Sequence, residues 1–389
     1  MPEIEFISNI IFESLKNYSE IEELYKEWKN ARGSIKKEKE KTLREKIRNL
    51  SQNYPFYNFH FLYLESKNKE FRELVKEEIY INVFSKGAEQ FDLLTNLGFS
   101  GISNVTSINK FPAFSFFIQL PFTLAKPYIS RDDEEFYIHE NPIKKDKVFK
   151  VPMVAPSSWK GNLRWVATKF LLDKIEHGLD KISYEQKEEL IENRCQIIRL
   201  FGTEKEGIED VESNKIEAHL DRLFGNELTK LFRKRVRQKG YVDKNGMGKG
   251  RLFFYPTFFD KIALEVINPH DRKTKAGKQP IYMESVPTDT KGIFSLLYIP
   301  FNLIGRVESV VKKEVLEDLK LVFSALKEMM LIYGFSAKKS SGFGVIEDNF
   351  EEDGQPAGKF LIKSETENFK DFNELDQVRR KVSKNLLET

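Results

Sequence analysis

Between Tyr128 and Arg164 the chain collects residues that can do chemistry. An acidic loop carries Asp132 and Asp133 and runs on to His139, Glu140, Asn141 and Pro142. A basic turn follows, Lys144-Lys-Asp-Lys147. The stretch Val151-Pro-Met-Val-Ala-Pro-Ser-Ser-Trp-Lys-Gly-Asn-Leu-Arg164 then reads as a Pro-anchored turn opening a helix. Ser157 or Ser158 can cap that helix by accepting its backbone N–H groups. Lys160, early in the helix, works against the macrodipole. That placement makes sense if an anion such as a phosphate arrives at the same helix end. A capped helix with solvated basic residues is the plainer alternative, and spacing alone does not choose.

Two further stretches suit an anionic partner. In Gly334-Phe-Ser-Ala-Lys-Lys-Ser-Ser-Gly-Phe-Gly-Val345 the glycines let the backbone approach a phosphate. Lys338, Lys339, Ser340 and Ser341 supply donors there. The alternative is a flexible helix–strand connector. Lys230-Leu-Phe-Arg-Lys-Arg-Val-Arg-Gln-Lys239 holds six positive charges and no acid. Arg233, Lys234, Arg235 and Arg237 thus become nucleic-acid contact candidates. Gly246 to Gly250 lacks the spacing of a phosphate-binding P-loop and reads as a turn.

Elements of several kinds must position these residues. The chain has 389 residues, enough for more than one module, and its net charge is only +3. Its 33 phenylalanines suit a β-rich, aromatic-packed core. The single cysteine, Cys195, excludes an internal disulfide and a Cys-based zinc site and agrees with a reducing cytoplasm. No signal peptide is visible, and no apolar run is long enough to span a membrane. Residues 1 to about 90 read as helical, with a charged face over Lys36 to Arg48 and an aromatic cluster from Tyr54 to Tyr63. Phe111 to Phe122 reads as a strand with period-2 aromatics. Leu163, Val166, Phe170 and Leu171 give the Ser157 helix a buried stripe. A helix over 181–201, strands over Arg251–Phe259 and Lys291–Phe301, and an amphipathic helix over Val310–Tyr333 follow. Two strand-like arms within Ala263–Glu284 flank a polar tip. Phe360 to Lys363 is expected as an edge strand, and the chain ends in a charged helix or tail.

Pro156-Ser-Ser-Trp-Lys-Gly-Asn-Leu-Arg164 resembles the Pro-Gly-Ser-Ser-x-Lys-Gly-x-x-Arg signature of the RAMP superfamily of CRISPR-associated proteins. Ala155-Pro156 stands where the family has Pro-Gly. Glu140-Asn-Pro-Ile-Lys-Lys-Asp146 resembles the Asp-x-Pro-Val-x-x-Asp run of backbone RAMP subunits in type III CRISPR effector complexes. The strand at Arg251, the pieces Asp271-Arg272 and Glu284 of a projecting thumb hairpin, and the Gly334 loop are similar too. The resemblance spans roughly residues 108 to 350.

It implies an α+β chain with a ferredoxin-like (RRM-like) core and inserted hairpin or thumb elements. The boundaries that follow are a helical extension over 1–105, a core over 106–350 and an edge strand with charged tail over 351–389. Within the core, 203–250 is a variable basic insertion and 263–287 the candidate thumb. The implied partner is CRISPR RNA, gripped through Ser157, Ser158, Lys160, Arg164, Arg233, Lys234, Arg235, Arg237, Arg251, Arg272, Lys338, Lys339, Ser340 and Ser341. Target RNA, other effector subunits and copies of this chain are further implied partners. In the backbone subunits an Asp before x-Pro-Val helps cleave target RNA with a divalent metal. Glu140 matches that position, one methylene longer. Asp132 and Asp133 are candidate further ligands for Mg²⁺ or Mn²⁺, and His139 is a candidate acid–base group. Two alternatives stay open: a structural or terminal subunit without chemistry or metal, and a ribonuclease processing precursor CRISPR RNA.

Overall fold

The computed structural model describes residues 19–53, 108–132, 141–147, 149–175, 183–203, 207–208, 216–269, 280–363 and 365–388, together with Phe71, Leu74, Glu78, Phe91, Asp92, Leu94 and Thr95. In chain order its elements are helix α1 (Gly33–Asn53), strand β1 (Phe116–Thr123), β2 (Met153–Val154), α2 (Pro156–Ile175), α3 (Tyr184–Phe201) and α4 (Ile216–Gln238). Then come β3 (Leu252–Phe254), β4 (Thr257–Phe258), β5 (Ala263–Ile267), β6 (Ile281–Ser285), β7 (Lys291–Tyr298) and α5 (Glu308–Glu328). The chain closes with β8 (Glu351–Glu352), β9 (Gln355–Pro356), β10 (Gly358–Ile362), β11 (Glu365–Phe369) and α6 (Phe372–Glu388). The chain divides into two compact units. One gathers Met1–Leu94, Ser130–Pro152 and Asp260–Val286, the other Thr95–Ile129, Met153–Phe259 and Pro287–Thr389.

The second unit is built on an antiparallel five-stranded sheet in the order β11-β10-β1-β7-β3. β1 is central because it is apolar almost throughout, and Phe116 to Leu120 are all buried. It pairs with β7 from Phe116↔Tyr298 to Thr123↔Lys291 and with β10 from Phe116↔Ile362 to Gln119↔Lys359. Alternation sends Phe116, Ile118 and Leu120 to one face. On that face Phe116 stacks on Tyr298 with centroids 4.4 Å apart, Phe323 of α5 packs edge-on to Phe360, and Trp159 of α2 edge-on to Phe294. The other face carries Phe117, Leu297 and Leu361, packed with Ile108 and Ile299. α2 packs on α3 and α5, α3 on α4, and α5 on α6. A capping box starts α3: the Gln186 N–H donates to Ser183 Oγ, and the Ser183 N–H to Gln186 Oε1.

The first unit contains α1 and the β5–β6 hairpin. On α1, Leu43 and Ile47 are buried one turn apart, while Arg44 and Arg48 both pair with the buried Glu78 at 2.9 and 2.8 Å. The hairpin runs in register from Ala263↔Ser285 to Ile267↔Ile281.

The α+β class with an antiparallel sheet agrees with the sequence. β1 starts at Phe116 rather than Phe111, because a turn closes at Pro112, whose carbonyl accepts the Ser115 N–H and hydroxyl. The strand at Phe360 is internal, not an edge, since β11 pairs along its outer side. Among the described residues no helix is long and apolar enough to cross a membrane. The Tyr54–Tyr63 aromatic cluster and Arg272 lie outside the described residues, as do Asp133, His139 and Glu140.

Candidate nucleic-acid interface

Helix α2 begins at Pro156, a position where the missing proline N–H is no loss. Ser157 and Ser158 therefore sit inside the first turn, not at the cap. Ala155 takes the preceding place, and its carbonyl accepts the Ser158 and Trp159 N–H groups at 2.9 and 3.1 Å. Trp159 anchors the helix. Its ring is fully buried, its Nε1–H donates to Thr257 Oγ1 at 3.1 Å, and it packs on Phe335 at 4.4 Å. Phe335 belongs to the glycine-rich loop, 176 positions further along the chain.

That loop is held shut at its base. The Phe335 N–H donates to the Gly344 carbonyl, the Gly344 N–H to Pro127, and the Ala337 N–H to Ile129. Ser336 Oγ both receives the Ile129 N–H and donates to the Ile129 carbonyl, each at 2.9 Å. Gly344, at φ +72°, has no space for a side chain: a Cβ would stand 2.6 Å from Ser336 Cβ. Beyond this base a short 3₁₀ turn, Lys339–Ser341, carries the loop's donors outward, with Ser340 and Ser341 exposed.

Loop and helix meet side by side. Asn162 donates to the Phe335 carbonyl at 3.2 Å and to the Ser158 carbonyl at 2.9 Å. Lys339 Nζ lies 4.8 Å above the Trp165 ring, and Trp165 meets Tyr333 edge-on at 5.1 Å. Two sequence-predicted groups, Ser157/Ser158/Lys160/Arg164 and Lys338/Lys339/Ser340/Ser341, thus come to neighbouring elements of one unit. Burial, then the nearby Arg164 charge, lowers the pKa of Lys160, and burial lowers that of Lys339. Partly dehydrated ammonium groups gain most when an anion arrives. The sequence reading missed Asn162, Trp165 and Tyr333. The only signal for Trp165 was a large aromatic at the outward position, one turn beyond Gly161.

The acidic loop meets a different neighbourhood. Asp132 is buried, its Oδ1 accepts from Lys144 Nζ at 2.7 Å and its Oδ2 from the Lys145 N–H at 3.3 Å. Lys145 reaches the Glu284 carboxylate on β6, with both side chains nearly inaccessible at 3% and 6% exposed. The Glu284 N–H donates to the Asn141 carbonyl, the Ile143 N–H to Glu284 Oε2, and the Asn141 amide to the Tyr282 carbonyl. The Asn141–Asp146 turn is therefore locked onto the base of the β5–β6 hairpin. The Lys144 ammonium compensates Asp132, and among the described residues no three His, Cys, Asp or Glu side chains gather to hold a metal; Asp133 and Glu140, the other carboxylates expected at such a site, lie outside the described residues.

A family model of the RAMP superfamily matches residues 87–347. The chain belongs to the RAMP superfamily. Solved structures similar to this RAMP protein include one described as type III-B Cmr-beta bound to cognate target RNA, 16% identical over 85% of this chain and 91% of that one, with a TM-score of 0.35. Cmr6 from Pyrococcus furiosus is 17% identical over 60% of this chain and 97% of its own, with a TM-score of 0.27. A CRISPR RNA-guided surveillance complex in a pre-nicking state is 12% identical over 62% and 80%, with a TM-score of 0.30. No curated protein matches.

Other basic residues of this RAMP chain serve its interior. Arg251 was expected to contact RNA, but it is 2% exposed and its guanidinium is engaged within the fold. It donates to Asn302 Oδ1, the Tyr298 hydroxyl, Asp318 Oδ2 and Glu314 Oε2, at 2.7 to 3.2 Å. The basic run on α4 is compensated by acids from other helical turns. Arg233 pairs with Asp221 at 2.7 Å, Arg235 with Glu188 and Glu192 at 2.8 and 2.7 Å, and Lys239 with Glu192 at 2.5 Å. Lys234 and Arg237 are exposed on the same helix.

Proposed function

We propose that this RAMP protein is a CRISPR RNA-binding subunit of a cytoplasmic, type III-like effector complex. It works beside other effector subunits, copies of itself among them, on guide RNA and its paired target RNA. The observation that supports the reading is the meeting of the Pro156–Arg164 helix start with the Gly334–Val345 loop through Asn162 and Lys339, which brings the elements carrying Lys160, Arg164, Lys338 and Lys339 together. Ser157, Ser158, Ser340 and Ser341 add hydroxyl donors. Protein contacts hold phosphate, sugar and shape, while sequence is read by base pairing. We read the core as ferredoxin-like. The order β10-β1-β7-β3, with α2 after β1 and α5 after β7, supports a βαββαβ path whose last strand, β10 at Gly358–Ile362, carries the core past the expected bound of 350. Residues 1–105 are then a helical extension, and the β5–β6 arms are the thumb.

Within this reading the form without chemistry is favoured by the Asp132–Lys144 pair, which engages the described carboxylate of the acidic loop. The first experiment measures binding of a labelled CRISPR RNA to the full chain. K160A/R164A and K338A/K339A should each weaken binding about tenfold or more, the scale of lost charge-assisted bonds. Unchanged binding in both would sink the RNA reading. A companion assay presents guide-paired RNA with Mg²⁺, Mn²⁺ or EDTA. Metal-dependent cuts that vanish in Glu140→Ala would replace the scaffold with a nuclease. Cutting of precursor RNA without guide, target or metal would instead indicate processing.

A further inference from the structure

Trp165 stands 40% exposed midway along α2, while Trp159 of the same helix is wholly buried. An exposed indole in the middle of a helix contributes little to the core, yet its surroundings are ordered around it. Tyr333 meets it edge-on at 5.1 Å and 80°. Lys339 Nζ covers one face at 4.8 Å, and Lys169 Nζ lies 5.9 Å from the Tyr333 ring centroid. The result is an aromatic pair rimmed by two cations. One turn earlier on the same exposed stripe is Gly161. A glycine inside a helix weakens it relative to alanine. Nothing among the described residues demands this one: a Cβ there would meet none of their atoms within 4 Å. Gly161 leaves a bare ledge about 6 Å along the helix from Trp165.

We propose that Trp165, with Tyr333 at its edge and Gly161 as the open ledge, is a stacking platform for one nucleobase of the bound RNA strand. This rests on the RNA-binding reading and deepens it, adding a base contact to the phosphate grip. The arriving nucleotide exchanges partners with Lys339. Its phosphate takes the ammonium and its base takes the uncovered ring face. Any base has such a face, so the platform tolerates sequence. It holds one base unstacked from its neighbours.

The test measures binding of the full chain to a fluorescent single-stranded RNA oligonucleotide and to the same oligonucleotide with abasic residues. Wild type, W165A, W165F and K160A/R164A are compared after circular dichroism confirms their fold. W165A should weaken RNA binding roughly 5- to 100-fold, the range of a lost base–aromatic stack. W165F should retain most of it, and the abasic strand should bind wild type and W165A alike. If W165A binds RNA like wild type while K160A/R164A weakens it, the platform is wrong and the RNA reading stands. An equal loss for the abasic strand would also overturn the platform, leaving Trp165 as a support for Lys339. No RNA binding by wild type would remove both, and the aromatic pair would be a protein contact.

Discussion

At Asp318 one carboxylate joins two helices, strand β7 and the residue that leads into β3. Its Oδ1 accepts from Arg199 Nε at 2.8 Å and Gln196 Nε2 at 3.1 Å, and its Oδ2 from Arg251 and the Tyr298 hydroxyl, each at 2.8 Å. These donors come from α3, from Arg251 just before β3, and from β7, so the hub fixes the helical layer to the sheet. Burial, then the Asp318 charge, raises the Tyr298 pKa well above the ordinary tyrosine value, which keeps that hydroxyl a donor. Neutralising Asp318 leaves two buried guanidinium groups short of charge. D318N should lose about 3–5 kcal/mol in urea unfolding. E317Q, at a side chain 47% exposed, should change stability by less than ~0.5 kcal/mol. Equal losses would show that the hub is not centred on Asp318. Lys160 behaves in the opposite sense. Its folded pKa lies below the 10.5 of a free lysine, so the unfolded chain binds more protons in the window between the two values. Stability from this group therefore rises with pH through that window, and at neutral pH its buried charge is a standing cost. K160M should raise the thermal midpoint at pH 7, with the gain fading as pH passes 10.5. It should also weaken RNA binding. A lower midpoint at pH 7 would contradict that account.

Among the elements, the hairpin and the turn beside it behave as one piece through Lys145 and Glu284. Removing Glu284 alone strands a buried ammonium, whereas replacing both partners by apolar groups restores balance. Hydrogen exchange of β5 and β6 should accelerate strongly in E284A and much less in K145M/E284L. Equal acceleration would mean that packing, not the ion pair, holds the hairpin. The same contrast explains what was legible in the sequence. The helix start and the glycine loop could be read because their demands are local: a proline at the first helical position, and a φ of +72° at Gly344 that a side chain would contest. The run from Lys230 to Lys239 read as uncompensated because the acids that pair with Arg233, Arg235 and Lys239 are remote in sequence. Glu188 and Glu192 lie 47 and 43 positions before Arg235. A local charge count cannot see across a helix–helix interface. Arg251 misled for the same reason, its partner Asp318 being 67 positions away. Glu284 was noticed through its likeness to the family, but its role in clamping the turn needed Lys145 brought beside it. Meeting of helix and loop across nearly 180 residues had no local signature either. Only the sheet, which places β1 beside both β7 and β10, brings their ends together.

For the molecule as a whole, the net charge of +3 is too small to draw RNA by bulk electrostatics. If the chain binds RNA as proposed, the affinity comes from a few placed cations, and that number can be measured. Lys160, Arg164, Lys338 and Lys339 stand on α2 and the loop, while Arg233, Arg235 and Lys239 are held by carboxylates of their own unit. Four phosphate contacts on a single strand give a slope of log affinity against log salt of about −3, at roughly 0.7 per contact. K338A/K339A should bring it to about −1.4, and charge removal at Arg233 and Arg235 should leave it unchanged. All the strands of the five-stranded sheet lie within the second unit, as do the four cations. A chain lacking residues 1–94 should therefore keep the slope. A slope near −6 in the full chain would show that α4 or the first unit also holds phosphates. One near zero would mean that the cations of α2 and the loop face something other than a polyanion.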